Sequence, residues 1–385
     1  MSSLLTLKKD KKPTVLDKLK KLDYILIAAV LALSAIGVLA VGSADSSLQV
    51  KQMLGVAGSI VIMIVLALLV DYKKIIKLWI PMYIVMVILL VFVIVRGHDS
   101  HGASRWIAIG PLTFQPSELA KIILILFYAQ FIMKYRERIK ATLLIPLCII
   151  FLIPPLILVV SQPDLSTTIM LVVIFSAIMF VSGLDRRVVA GILILLIPTV
   201  ILVIYSASTM ETGAHPFLRD YQQVRIKAWL HPEDYRTDSA MQTLNSLMAI
   251  GSGGFWGKGI NNNEITSVLN SGYISESETD LIFTVIGEEM GFVGGALVIF
   301  LLLLISLRCL RIARKTGSFS GRLIASAMAV WIGIQGFMNI AVATGTIPNT
   351  GIPLPFVSSG LSALICTFAG VGFVLNIGSQ TVRRF

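Results

Sequence analysis

Six consecutive residues, Ser275-Glu276-Ser277-Glu278-Thr279-Asp280, place three carboxylates directly before a long apolar run, Leu281 to about Leu307. Two kinds of chemistry fit. Ser277 with Asp280, or Ser275 with Glu278, has capping-box spacing, and acids favour the first turn of a helix. Alternatively, a carboxylate where water meets lipid can take a proton from a substrate hydroxyl. The residues themselves leave both readings open.

Other constellations sit at comparable junctions. Arg105 to Gly110 leads into Gln115-Pro116-Ser117-Glu118-Leu119-Ala120-Lys121. Pro116 and Ser117 open a helix with Gln115 or Ser117 near its cap. Glu118 and Lys121 are three apart and can pair on one face. The pair is either structural, or Lys121 or Arg105 meets a substrate phosphate. Ser161-Gln162-Pro163-Asp164 opens another helix, with Asp164 as its cap. Gly251-Ser252-Gly253-Gly254 followed by Gly257-Lys258-Gly259 is either a helix stop and loop or a cradle for phosphate, though it matches no P-loop spacing. Glu288 and Glu289, adjacent in an apolar run, point about 100° apart and cannot share one environment. At least one should pair with a cation from another span. The segment 345–360, with three prolines and Ser358, is too apolar for a solvated turn and reads as a re-entrant loop lining a cavity. His98, His101, His215 and His231 read as solvated loop residues, with His98-Asp99-x-His101 a weak metal pattern.

The elements that must position these groups are set by composition. Of 385 residues, 56% are hydrophobic and 14% charged, and the mean hydropathy is +0.87. Such a chain is an all-α polytopic membrane protein. Apolar runs predict about ten spans, near 24–43, 53–70, 76–95, 116–133, 142–161, 167–182, 188–205, 281–307, 323–343 and 359–377, the fourth and sixth being short or polar-ended. The resulting division is a basic tail (1–22), seven spans (23–205), a large loop (206–279), three spans (280–378) and a short tail (379–385). The net charge of +11 gathers in every second connection, as the positive-inside rule requires. Both termini are therefore expected to be cytoplasmic. That distribution argues against nucleic-acid binding and allows some attraction to anionic lipid. Cys148, Cys309 and Cys366 have neither metal spacing nor a disulfide framework. The connection 206–279 far exceeds the usual ~4–6 residues. It carries Trp229 and Trp256, an expected interfacial helix over 224–230 and a second helix over 239–250.

Five segments recur in an order that resembles one family. They are Gln115 to Lys121, Gln162-Pro163-Asp164, Ala249 to Gly259, Glu278 to Phe283 with Ile286 to Phe292, and Gly351 to Phe356. This is the pattern of the SEDS proteins of bacterial shape, elongation, division and sporulation, RodA, FtsW and SpoVE. The short N-terminal tail and the Thr350-Gly351 junction lean toward the RodA branch. The resemblance implies a peptidoglycan glycosyltransferase of the bacterial cytoplasmic membrane that polymerises lipid II. It also implies a class B penicillin-binding protein as partner. It places the family's catalytic aspartate on Asp280. Candidate substrate-binding residues are Arg105, Glu118, Lys121, Asp164, Lys258 and Ser358. The leaving diphosphate needs positive charge, from side chains such as Arg105, Lys121, Arg225 and Lys258 or from a bound Mg²⁺ or Mn²⁺. No organic cofactor is expected. Two other readings fit the same frame: a flippase for a lipid-linked precursor, and a non-enzymatic scaffold for the cross-linking partner.

Overall fold

The computed structural model describes residues 14–100, 103–110, 112–183, 186–213, 218, 220–232, 234, 239–261, 267–268, 274 and 276–380. Ser275, His101 and His215 lie outside the described residues.

The chain is helical almost throughout. A short helix, α1 (Val15–Lys20), is followed by α2 (Tyr24–Ala44), α3 (Ser46–Leu68), α4 (Tyr72–Ile75) and α5 (Trp79–Arg96). A small antiparallel sheet comes next, with β1 (His98–Ser100), β2 (Ala103–Ile109) and β3 (Leu112–Phe114) in that order. The bundle continues with α6 (Pro116–Tyr135), α7 (Ala141–Ser161), α8 (Leu165–Val181) and α9 (Arg186–Thr209). Two helices, α10 (Asp220–Leu230) and α11 (Ser239–Ser252), occupy the long connection. Then follow α12 (Ile282–Lys315), α13 (Phe319–Ala343) and α14 (Leu361–Ser379). Among the described residues, eight helical segments are long and apolar enough to cross a membrane. At 17 residues, α8 is shorter, as its polar opening residues foretold. The protein is a multi-pass membrane protein.

Three differences from the expected layout matter. The segment 96–116 is not a plain connection: β2 pairs with β3 through Ile107–Phe114, Ala108–Thr113 and Ile109–Leu112 around a turn in which Gly110 has φ +61°. The expected span near 281–307 is a longer helix broken at Gly291, whose φ of 62° and ψ of −160° interrupt the helical backbone. Finally, α3 begins at Ser46, because Asp45 caps it by accepting the Ser47 N–H at 2.9 Å; this polar first turn extends beyond the apolar run.

The bundle has two unlike ends. One carries the sheet, α10, α11 and the loop 344–360; we call it the site end. The other carries Lys18, Lys20, Lys21, the cations of 73–77 and 134–140, and Arg308 to Arg322; we call it the basic end. The most enclosed helices are α6, α13 and α14, and α13 packs against α6, α8, α12 and α14. Toward the basic end, Trp79, Tyr83, Phe127, Phe131 and Phe151 form a continuous aromatic cluster that fixes α5, α6 and α7 together. There too, Asp23 accepts a forked pair of bonds from Arg308, tying α2 to α12.

Candidate active site at the site end of the bundle

At the site end α6 begins with Pro116 at a position where its missing N–H costs nothing. One turn in, Lys121 Nζ lies 2.7 Å from Glu118 Oε1, and both side chains are almost fully buried, at 2% and 3% exposure. Lys121 also donates to Gln335 Oε1 at 2.9 Å and lies 4.9 Å from the centre of the Trp331 ring. Gln335 in turn accepts from Trp331 Nε1 and donates to the Pro353 carbonyl at 3.0 Å. A charge pair buried between helices requires such support, because burial removes the water that would otherwise solvate it. Among the described residues, Glu118 Oε2 has no hydrogen-bond partner. It faces a cavity of about 20 Å³ lined by Gln115, Asp164, Thr167 and the loop residues Gly351, Ile352 and Pro353. That is room for about one water.

Asp164 is the N-cap of α8, as its position suggested. It accepts from Thr167 N at 3.0 Å, Thr167 Oγ1 at 2.8 Å, Gln115 Nε2 at 3.2 Å and Ser117 Oγ at 3.4 Å. Arg105, carried by β2, donates through Nε to the Gln162 carbonyl at 3.1 Å and through Nη2 to the Pro163 carbonyl. The sheet thus holds a guanidinium over the start of α8.

Asp280 does not cap α12. The N-cap is Leu281, and no side chain makes a cap bond there. Asp280 belongs instead to a turn in which Leu281 N donates back to the Glu276 carbonyl at 3.2 Å and Thr279 Oγ1 donates to Glu276 Oε2 at 2.8 Å. The turn is pinned from two sides. Asn339, fully buried on α13, donates through Nδ2 to the Asp280 carbonyl at 2.8 Å and to the Ile352 carbonyl at 2.7 Å. Ser358 donates to the Thr279 carbonyl at 2.6 Å and accepts from Leu354 N at 2.7 Å. Ser359 N reaches the Glu278 carbonyl at 2.8 Å. The proline-rich loop and the acidic turn are therefore one unit.

A Cβ built on Gly351 would sit 3.3 Å from Asp280 Oδ2, and Gly351 has φ +72°. Glycine at that position serves both the turn and the approach of the carboxylate. Among the described residues, no hydrogen-bond donor reaches the Asp280 carboxylate. Its pKa is pushed up to about 6, first by burial and then by the neighbouring charge of Glu276. Arg225 on α10 and Arg105 on β2 act in the opposite direction, and Asp164 adds to the rise.

The remaining predicted residues lie elsewhere. Lys258 does not line the cavity; its Nζ is 2.7 Å from Glu288 Oε1, which also accepts from Val268 N at 2.8 Å. The cation paired with Glu288 thus comes from the long connection and not from another span, contrary to expectation. Glu289 does have a separate environment, accepting from Ser43 Oγ of α2 and from Asn261 N at 3.2 Å. The glycine-rich segment cradles the break in α12. Lys258 N, Gly259 N, Phe292 N and Val293 N bond across to Glu288, Glu289, Gly254 and Phe255 carbonyls respectively. A Cβ on Gly253, Gly257 or Gly291 would collide with the facing backbone. His231 is exposed, and among the described residues no three His, Cys, Asp or Glu side chains converge as a metal cage.

Sequence reasoning missed Gln335 and Asn339. They follow Trp331 at four-residue spacing along one face of α13, and amides in an apolar helix are a recognisable signal of a polar interior.

Comparison with known proteins places this geometry. Residues 18–383 match the FtsW, RodA and SpoVE family, described as cell cycle protein. The probable peptidoglycan glycosyltransferase FtsW of Trichlorobacter lovleyi is 32% identical over 382 residues, covering 94% of each chain. The peptidoglycan glycosyltransferase MrdB of Escherichia coli K12 is 34% identical over 356 residues, covering 92% of this chain and 91% of its own. The crystal structure of the rod shape determining protein RodA of Thermus thermophilus superposes with a TM-score of 0.67 at 27% identity, covering 94% of this chain and 98% of that one. A chain from a peptidoglycan synthase complex, solved to study the structural coordination of polymerization and crosslinking, gives 0.76 at 29% identity over 94% and 99%. The chain belongs to the FtsW, RodA and SpoVE family.

Proposed function

We propose that this protein is a peptidoglycan glycosyltransferase that polymerises lipid II at the outer face of the bacterial cytoplasmic membrane, with Asp280 as general base. One observation carries the reading. A carboxylate that no donor among the described residues reaches, with its pKa raised to about 6 and the charges of Arg225 and Arg105 acting on it, sits on a backbone pinned by Asn339 at one end of a membrane bundle. A base needs a pKa near the working pH and an unoccupied oxygen. In the proposed step Asp280 takes the proton of the acceptor sugar hydroxyl. The freed oxygen bonds to the donor's anomeric carbon while that carbon's bond to the diphosphate breaks. Direct displacement inverts the centre, as conversion of an α-linked donor to a β-linked strand requires. Arg105 and Arg225 supply positive charge beside the departing diphosphate. The site end then faces outward and the basic end inward, in agreement with the positive-inside rule. The same orientation leaves α10 and α11 available to a class B penicillin-binding protein.

The described residues do not form a donor set for a protein-held Mg²⁺ or Mn²⁺. No three ligating side chains converge among the described residues, both Asp164 oxygens already accept bonds, and Lys121 occupies Glu118 Oε1. No step is routed through a metal.

The packing speaks against the flippase reading. The cavity ends at the Glu118–Lys121 pair, and below it α6 is packed with Ile122 to Ala129 all buried. Purified protein in vesicles should lengthen labelled lipid II into strands without moving it between leaflets. Translocation without polymerisation would overturn the proposal in favour of transport.

A further inference from the structure

A second pocket lies at the opposite end of the molecule. It is open, has a volume of about 1030 Å³, and is lined by Val181 at the end of α8, the last turns of α12 from Leu307 to Lys315, and Arg322 and Ser326 at the start of α13. Four cations, Arg311, Arg314, Lys315 and Arg322, stand at its rim, and among the described residues no acidic one lines it. Their side chains have no hydrogen bond or ion pair with any described residue. Arg308, on the same helix, provides the contrast, since its charge is spent on Asp23.

Cations in the last turn of a helix are normally accounted for by the helix dipole and by topology. Two features go beyond that. Ser326 is 95% buried in the pocket wall, at 5% exposure, and its hydroxyl has no hydrogen-bond partner among the described residues. In addition, Phe300, Leu303, Leu307 and Leu310 recur at spacings of three and four residues along α12, all exposed. That ridge shares its face with Arg314 and runs from the middle of the bundle to the cationic rim. A face that changes from apolar to cationic along one line matches a ligand with acyl chains at one end and an anion at the other.

We propose that this pocket binds an anionic phospholipid. The phosphate group would lie among Arg311, Arg314, Lys315 and Arg322 with Ser326 donating to it, and the acyl chains would lie along Phe300 to Leu310. A free phosphate ion shares the headgroup chemistry but has no use for the apolar ridge. The site is separate from Asp280 and independent of the reaction assigned there.

The test uses full-length protein. In phosphatidylcholine nanodiscs containing phosphatidylglycerol, native mass spectrometry should show retained phosphatidylglycerol, with a raised thermal midpoint. Each surface cation is worth about fivefold in affinity, so R311Q/R314Q/R322Q should lose retention by more than about tenfold. Arg314→Gln alone, at an exposed position, should lose part of it and provides the reading if the triple variant does not fold. A K73Q/K74Q control, neutralised on the same end but outside the pocket, should retain lipid normally. Inorganic phosphate at matched concentration should leave the midpoint unchanged. Full retention by the pocket variants would overturn the proposal. So would equal loss in the control, which would indicate diffuse surface charge, or an equal shift with phosphate alone, which would indicate a site for a free anion.

Discussion

Asp164 and Asp280 stand at the entrances of two helices on the same end of the bundle, yet their carboxylates are used in opposite ways. Asp164 caps α8 and accepts bonds from Thr167, Gln115 and Ser117. Asp280 precedes α12 without capping it, and its backbone, not its carboxylate, is what Asn339 holds. Saturation with donors fixes a charge and makes it unreactive; a rigid backbone with an unsaturated carboxylate leaves the lone pairs for a substrate proton. The number of donors, more than nearness to a helix start, separates a structural acid from a base.

The largest expected effect comes from erasing the difference at the reactive member. Asp280→Asn should lower the initial rate of lipid II polymerisation by roughly 10²–10⁴-fold, the usual worth of a general base, while the thermal midpoint stays at or above the wild-type value. Activity within a few-fold of wild type would remove Asp280 from the mechanism. Next comes the Glu118–Lys121 charge pair, which shares a cavity with Asp164. Lys121→Met strands Glu118 without a countercharge and should cost about 3–5 kcal/mol in denaturation experiments. E118Q/K121M should recover much of that loss, because neither partner is then charged. The smallest effect belongs to the structural member. Asp164→Asn keeps an acceptor for Thr167 N but turns donors against donors at the second oxygen, so a loss of about 1 kcal/mol in stability is expected. A rate loss in Asp164→Asn as deep as in Asp280→Asn would dissolve the contrast.

Much of this arrangement was legible in the sequence. Hydropathy located the helical frame, and Pro116, Asp164 and the Glu118–Lys121 spacing announced their own local structures. Other features depended on contacts between distant segments. The break at Gly291 has no proline to signal it and arises where the backbone of residues 254–259 presses against α12. Lys258 looked like a phosphate ligand because its partner, Glu288, lies thirty positions away in the chain. The capping box at Ser277 and Asp280 had the right spacing, but the chain folds back on Glu276 before the helix begins. Capping patterns are local, and here the proline-rich loop, through Ser358 and Ser359, decides the backbone.

The most direct test of Asp280 as the base is the pH dependence of polymerisation in the wild type and in Arg225→Gln. A base must be ionised to accept a proton. With its pKa raised to about 6, the rate should be level above that pH and fall toward tenfold per unit well below it. The positive charge of Arg225 favours the ionised form, so its removal should move the acidic limb to higher pH. A rate independent of pH across this range, or a limb that stays in place when Arg225 is neutralised, would contradict the account.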